Sequence, residues 1–397
     1  MHISGKKDWT VLYYLNGNNN LEQNLTRNLV EIEQVGSSDQ VNIVAQLTRG
    51  PVDSTHTKSK GFDGDWVGTR RYLVEPSKAK SSKKLHSQVL DEQSKPVNAG
   101  VSDSLSDFVS WGIKNYPAKH YMIVIGDHGK GFEGTGFDYV HDDTLKLPEL
   151  ESSLTTIRQE TGIKPDLLVF DACEMAQLEV VSQLKDQVGY MVASEEIIGT
   201  MGLPHRSFLS ELSSKPKMSP SQAAVTWVAL SQEDTIKRLG RNINQQAAVQ
   251  LSAIDMSKIE PIEAAVDKLA KLLIADPPPE LKELVGNVQS FNIGATDETA
   301  EDFRDLGHFC AMLDENEASE AIKTAAQELT LAIHDSLVAS HSEGEDAEEA
   351  TGMSVYLPTE FGQGKAKKQI AAEYAKTDFG GKSLWKGFLK KLQTQED

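Results

Sequence analysis

The chain has 397 residues, 39% of them hydrophobic, with 40 Lys and Arg against 59 Asp and Glu, a formal net charge of −19 and a pI near 5.0. That length suffices for one large domain or two ordinary ones with a sizeable core, and the acidity argues against nucleic acid and anionic membrane as partners, since both are bound through basic patches. There is no apolar run of about 18 residues to span a bilayer, and two cysteines, Cys173 and Cys310, give neither a disulfide framework nor, without clustered His partners, a zinc site.

The start, MHISGKKDWTVLYYL, lacks the form of a signal peptide: its apolar stretch is short, and NGNNN stands where a small-residue cleavage site would be. A cytoplasmic protein is expected, or a secreted one whose leader has been removed. WTVLYYL (9–15) reads as a strand. Leu21, Leu25, Leu29 and Ile32 then recur at helical spacing within 21–35. The connecting NGNNNLE (16–22) is read either as a left-handed turn with Asn20 capping that helix or as a stretch lining a site. VNIVAQL (41–47) is a second strand, and WVGTRRYLV an edge hairpin within the long polar stretch 49–100. KAKSSKK (78–84), against the acidic trend, reads as a solvated loop. Next come a helix over 103–116 closed by Pro117, a strand over 120–125, a helix over 147–161 with Pro148 in its first turn, and strands over 166–170 and 189–194.

Strands alternating with helices imply βαβ units on a parallel sheet, and continuous apolar strands imply a sheet covered on both faces. After about residue 215 helical patterns dominate, over 220–239, 256–275, 279–290, 303–313 and 317–340. Strand-like runs at 248–254 and 352–357 are expected to return to the main sheet, and SEGEDAEEA (342–350) reads as an acidic surface loop. The expected organisation is an α/β catalytic domain over 1–215 and a mainly helical subdomain over 216–397.

In open α/β sheets, sites form at the carboxyl ends of the strands. The strand ending at 125 runs into GDHGKG, which puts His128 and Gly129 on that edge. The strand ending at 170 runs into DACEM, which puts Asp171 and Cys173 there as well. One crossover joins these strands, so they are expected side by side. A nucleophilic thiol needs a neighbouring imidazole to take its proton or to hold it as thiolate. A helix expected directly after Cys173 would favour the thiolate further. The amides of Gly129 and Cys173 are the candidate oxyanion donors, and Gly129 offers close approach because it lacks a Cβ. Cys310, within the helical pattern DLGHFCAML, reads as a core thiol. GKGFEG (129–134) matches a dinucleotide fingerprint, but no helical pattern opens on its glycines. HDD (141–143) reads as a solvated loop rather than a cation site.

TVLYYLNGNNNLE, NYPAKHYMIVIGDHGKG, LPELESSL, LLVFDACEM, YMVASEE, DLGHFCAML and GMSVYLP occur in this order, and together they resemble the clostripain-like cysteine peptidases, relatives of caspases, gingipains and legumains. The resemblance implies a caspase-like, mostly parallel sheet with helices on both faces and a helical C-terminal subdomain. It implies a His128–Cys173 dyad that cleaves polypeptides. It also implies that Asp171, Ser194, Glu195 and Met201 line the substrate pocket, with Arg or Lys preferred before the scissile bond. The chain departs from the family pattern at Met201, which stands where a second acid often helps bind that cation, so an apolar or mixed preference is the alternative. No Lys or Arg lies between Lys130 and Lys146, so self-cleavage at a basic residue there is not expected. No cofactor is expected. Some relatives use calcium, but no calcium loop is readable here. No pattern names a protein partner, and a monomer is expected. The rival reading is a catalytically silent peptide-binding or regulatory module on the same fold.

Overall fold

The computed structural model describes residues 6–51, 61–77, 83–239, 249–291, 301–344 and 347–394. In chain order the strands are β1 (Lys7–Gly17), β2 (Val41–Arg49), β3 (Gly68–Leu73), β4 (Gln88–Gln93), β5 (Ala118–Gly126), β6 (Thr135–Asp138), β7 (Asp143–Leu145), β8 (Leu167–Asp171), β9 (Tyr190–Ala193), β10 (Val249–Asp255), β11 (Phe303–Asp305), β12 (Leu337–Glu343) and β13 (Ser354–Tyr356). Nine of them form one sheet in the order β12-β10-β9-β8-β5-β1-β2-β3-β4. The middle five, β9, β8, β5, β1 and β2, are parallel. Antiparallel strands extend the sheet on both sides.

The continuous apolar strands are explained by burial on both faces. Leu12, Tyr14, Ile123, Ile125, Leu168 and Phe170 face one cluster, packed against the helices Ser102–Asn115, Leu147–Thr161 and Leu178–Leu184. The alternate residues Val11, Tyr13, Leu15, Val124 and Val169 face the other, against the helices Glu22–Ile32 and His205–Ser214. Residues two apart point to the same face of a strand, so a sheet covered twice needs apolar side chains at every position.

The expected α/β sheet is therefore present, and the C-terminal half is not independent of it. β10 and β12 extend the main sheet. Leu269, Leu329 and Trp385 lie in the same apolar cluster as Leu12 and Phe170. The run at 352–357 does not join that sheet: β13 pairs with β11 in a separate two-stranded sheet. The helix expected to reach residue 340 ends at Ser336, and β12 begins at Leu337. The edge hairpin is β3 with β4. Residues 78–82 of the basic stretch, 345–346 of the acidic loop and 248 lie outside the described residues. Among the described residues, no helix is long and apolar enough to cross a membrane.

Candidate active site

The parallel ladder sets the site's position. Leu15 is in register with Gly126, and Gly126 with Asp171. His128 and Cys173 each lie two residues beyond that common row, in the loops that leave the adjacent strands β5 and β8. Both line one cleft of about 160 Å³. Gly129 fixes the spacing of their loops: a Cβ there would stand 2.3 Å from the Cys173 carbonyl oxygen and 2.9 Å from Met175 Cγ. The loops thus meet backbone to backbone, which only glycine allows.

A buried polar network holds His128. The Asp127 carboxylate accepts from the His128 amide (2.5 Å), from Asn19 Nδ2 (2.6 Å) and from Asn16 Nδ2. Burial pushes the Asp127 carboxyl up, and these donors oppose the shift. Asn16 and Asn19 also donate to the Phe137 carbonyl, and Thr135 Oγ1 donates to the His128 carbonyl at 2.7 Å. The imidazole stacks on Tyr139 and meets Phe137 edge-on. Its Nε2 lies 2.6 Å from Asn20 Oδ1. An amide oxygen only accepts, so Nε2 carries the proton and Nδ1 is left as the basic nitrogen. Burial lowers the His128 pKa from its usual value, so the ring is a neutral base at neutral pH.

Cys173 follows β8 in a tight turn. Glu174, the next residue, adopts a left-handed backbone (φ 60°), a conformation that costs an L-residue about 1–2 kcal/mol. The turn is tied to the segment that follows β9 by Glu174 N to Glu196 O (3.3 Å) and Ala176 N to Ser194 O (2.8 Å). The helix expected directly after Cys173 starts only at Leu178. The thiol therefore lacks the helix-dipole support inferred from sequence. Burial pushes it up to about 12, with the Ile198 amide opposing and the carboxylates of Glu174, Asp171 and Glu196 adding. Ile198 N lies 3.4 Å from Sγ. Burial thus acts against an ion pair from both sides, raising the thiol and lowering the imidazole.

The other expected residues are placed differently from one another. Asp171 borders the cleft, but Oδ1 accepts from Leu203 N at 3.0 Å and Oδ2 is 2.8 Å from His205 Nε2. Ser194 is buried, with Oγ accepting from Glu196 N. Glu195 does not face the cleft: it is fully buried and accepts from Gly352 N at 2.8 Å, and burial beside Asp305 pushes its carboxyl well up. Met201 is exposed at the rim, between the cleft residues Thr200 and Gly202. Asn20 does not cap the first helix, whose N-cap is Leu21; its side chain goes to His128. Asn16 and Asn19 fall within the NGNNNLE stretch, for which lining a site is the alternative reading, whereas no sequence pattern points to Thr135 or His205. The run of asparagines at the end of β1 was the available signal for the first two. The GKGFEG glycines lead into one 3-10 turn, Gly131–Glu133, and then β6, so no helix offers a phosphate site. Among the described residues, no three His, Cys, Asp or Glu side chains converge where they would hold a metal ion.

A model of the clostripain family matches residues 13–392. Clostripain of Hathewaya histolytica is 24% identical over 300 residues, which are 66% of this chain and 55% of that protein, so the match spans little more than half of its length. Among solved structures, an inactive zymogen of a C11 protease from Parabacteroides distasonis has a TM-score of 0.67 at 16% identity, covering 94% of this chain and 97% of that one. A secreted C11 cysteine protease from Bacteroides thetaiotaomicron, in complex with an irreversible peptide inhibitor, has a TM-score of 0.66 at 17% identity, covering 96% and 99%. These two likenesses establish the shared fold.

Proposed function

The chain belongs to the clostripain family of cysteine peptidases, and on that premise we propose that it hydrolyses peptide bonds with Cys173 as nucleophile and His128 as general base. The observation that carries the reading is the pairing of His128 and Cys173 on one cleft, with Gly129 wedged against the Cys173 carbonyl. His128 Nδ1 takes the thiol proton as Sγ attacks the scissile carbonyl. The Gly129 and Cys173 amides receive the oxyanion, and the imidazolium then protonates the leaving amine. Water attacks the thioester, with His128 again as base, and frees the acid. Asn20 holds the ring in the tautomer this sequence needs. An Arg or Lys before the scissile bond would have to reach Asp171, both of whose oxygens already have partners.

The rival reading, a peptide-binding module without turnover, has one feature in its favour: the Ile198 amide already donates to Sγ. Labelling separates the two. A peptide chloromethyl ketone is expected to alkylate Cys173, with loss of chloride, and to spare buried Cys310, as read by tandem mass spectrometry. The rate has a defined pH sign. His128 titrates below its usual 6.5, so the base is available from there upward and is lost as pH falls. The thiol, at about 12, adds no ionisation between pH 7 and 9. A flat rate from pH 7 to 9 that falls on acidification supports the dyad. A rate that climbs steadily to pH 9, as for an isolated thiol, contradicts it.

A further inference from the structure

We infer that His205 withdraws Asp171 from the cleft and so sets the cleft to accept an uncharged, apolar side chain, of the size of Leu or Met, before the scissile bond; the inference takes the peptidase reading as its ground. Two carboxylates border the cleft, and both are engaged with the protein itself. Asp127 is held by Asn16, Asn19 and the His128 amide. Asp171 has one oxygen on Leu203 N and the other on His205 Nε2, and the side chains of Asp171 and His205 are only 3% and 1% exposed.

The lock is built to stay closed. The His205 ring sits edge-on between Tyr13 (5.5 Å) and Trp227 (5.7 Å), and Trp227 stacks on Phe208 at 3.9 Å. His205 Nδ1 has no hydrogen-bond partner among the described residues. A carboxylate oxygen only accepts, so Nε2 carries the proton shared with Asp171 Oδ2 at 2.8 Å. Gly202, at φ 69°, closes the remaining approach: a Cβ on it would lie 2.6 Å from Asp171 Oδ2. A guanidinium pairs best with two carboxylate oxygens side by side, and here it would have to displace both Leu203 N and the imidazole. The surface left for a side chain is Leu21, Leu25 and Ile198, with the neutral amides of Asn24 and Asn28. Its volume, about 160 Å³, falls below the roughly 300–1,000 Å³ of whole-ligand pockets and suits one side chain. Ile197 and Met201, 46% and 43% exposed, continue the apolar surface at the rim.

The test reads binding and turnover separately. Dye-labelled peptide amides that differ only in the last residue, Leu, Met, Gln, Arg or Lys, are titrated against Cys173→Ala by fluorescence polarisation. The same series, as fluorogenic substrates, is given to the unaltered protein. Leu or Met is expected to bind at least tenfold tighter than Arg. Adding Asp171→Asn should leave that ratio within about twofold, because the carboxylate does not read the substrate. Adding His205→Phe should raise Arg relative to Leu at least tenfold, and Asp171→Asn on top should cancel the gain. Tighter binding of Arg to the unaltered pocket, tenfold weaker Arg binding in Asp171→Asn, or an unchanged ratio in folded His205→Phe would each overturn the inference. The expected affinity order without turnover would leave it standing and remove the peptidase reading. The reverse order with turnover would do the opposite.

Discussion

Replacing His128 with Ala is expected to lower kcat/KM for peptide cleavage by about four orders of magnitude. The size follows from the state of the thiol. Burial holds Cys173 at about 12, five units above pH 7, so only roughly one molecule in 10⁵ carries a thiolate without help. On the proposed mechanism His128 removes that proton during attack, so the rarity of free thiolate would not limit the rate. Without the imidazole, attack must wait for thiolate formed by solvent, and the leaving amine has no acid. The residual activity of His128→Ala should therefore climb with pH from 7 to 9, while the unaltered protein stays level. The double variant with Cys173→Ala should be no slower than Cys173→Ala alone, since the two groups act as a unit. Steady-state kinetics on protein with unchanged circular dichroism checks each statement. A loss of less than tenfold in His128→Ala would show that another base serves the thiol.

Gly129→Val should cost about 10²- to 10³-fold in kcat/KM while the protein remains folded. The first atom of any side chain at 129 would sit 2.3 Å from the Cys173 carbonyl oxygen, which is backbone and cannot rotate away. β5 and β8 are pinned by their ladder up to the Gly126–Asp171 pair, so the strain is relieved by moving the His128 loop or the Cys173 turn. A shift of about 1 Å in reacting groups typically costs about a hundredfold. The stability cost of such overpacking is about 1–3 kcal/mol, a drop in melting temperature rather than unfolding. Gly286→Ala is the matched control: it lies in the helix Leu281–Asn287 with nothing within 4 Å of the Cβ it would gain, so the rate should not move and the melting temperature should hold or rise slightly. If Gly129→Val kept full activity, the two loops would not be held in the register their contact implies.

The sequence made the parallel sheet and the His128–Cys173 edge legible because both depend on local pattern. Apolar runs marked the strands, one crossover helix, Leu147–Thr161, linked β5 to β8, and side-by-side placement followed. What escaped were contacts between distant segments. The His205–Asp171 pair joins residues 34 apart, and nothing in the local pattern around LPH signals a partner. Asn20 suits a helix cap by type and position, yet Leu21 is the N-cap of a helix that begins at Glu22, and the Asn20 amide turns to the imidazole instead. DACEM reads into a helical pattern at once, but the left-handed residue Glu174 and the ties to Ser194 and Glu196 delay the helix until Leu178. β12 is half-buried along its length, without the clean alternation of a strand, and continues the preceding helical pattern by propensity. Only its pairing with β10 makes it a strand.

The most direct test is turnover of a positional-scanning fluorogenic peptide library by the unaltered protein and by Cys173→Ala in parallel. Cleavage by the first that vanishes in the second is the predicted result, and it would assign peptide hydrolysis to this thiol. Cleavage that persists in Cys173→Ala would contradict the assignment of the nucleophile. A folded protein that binds peptides of the library and cuts none of them would contradict the hydrolytic reading itself.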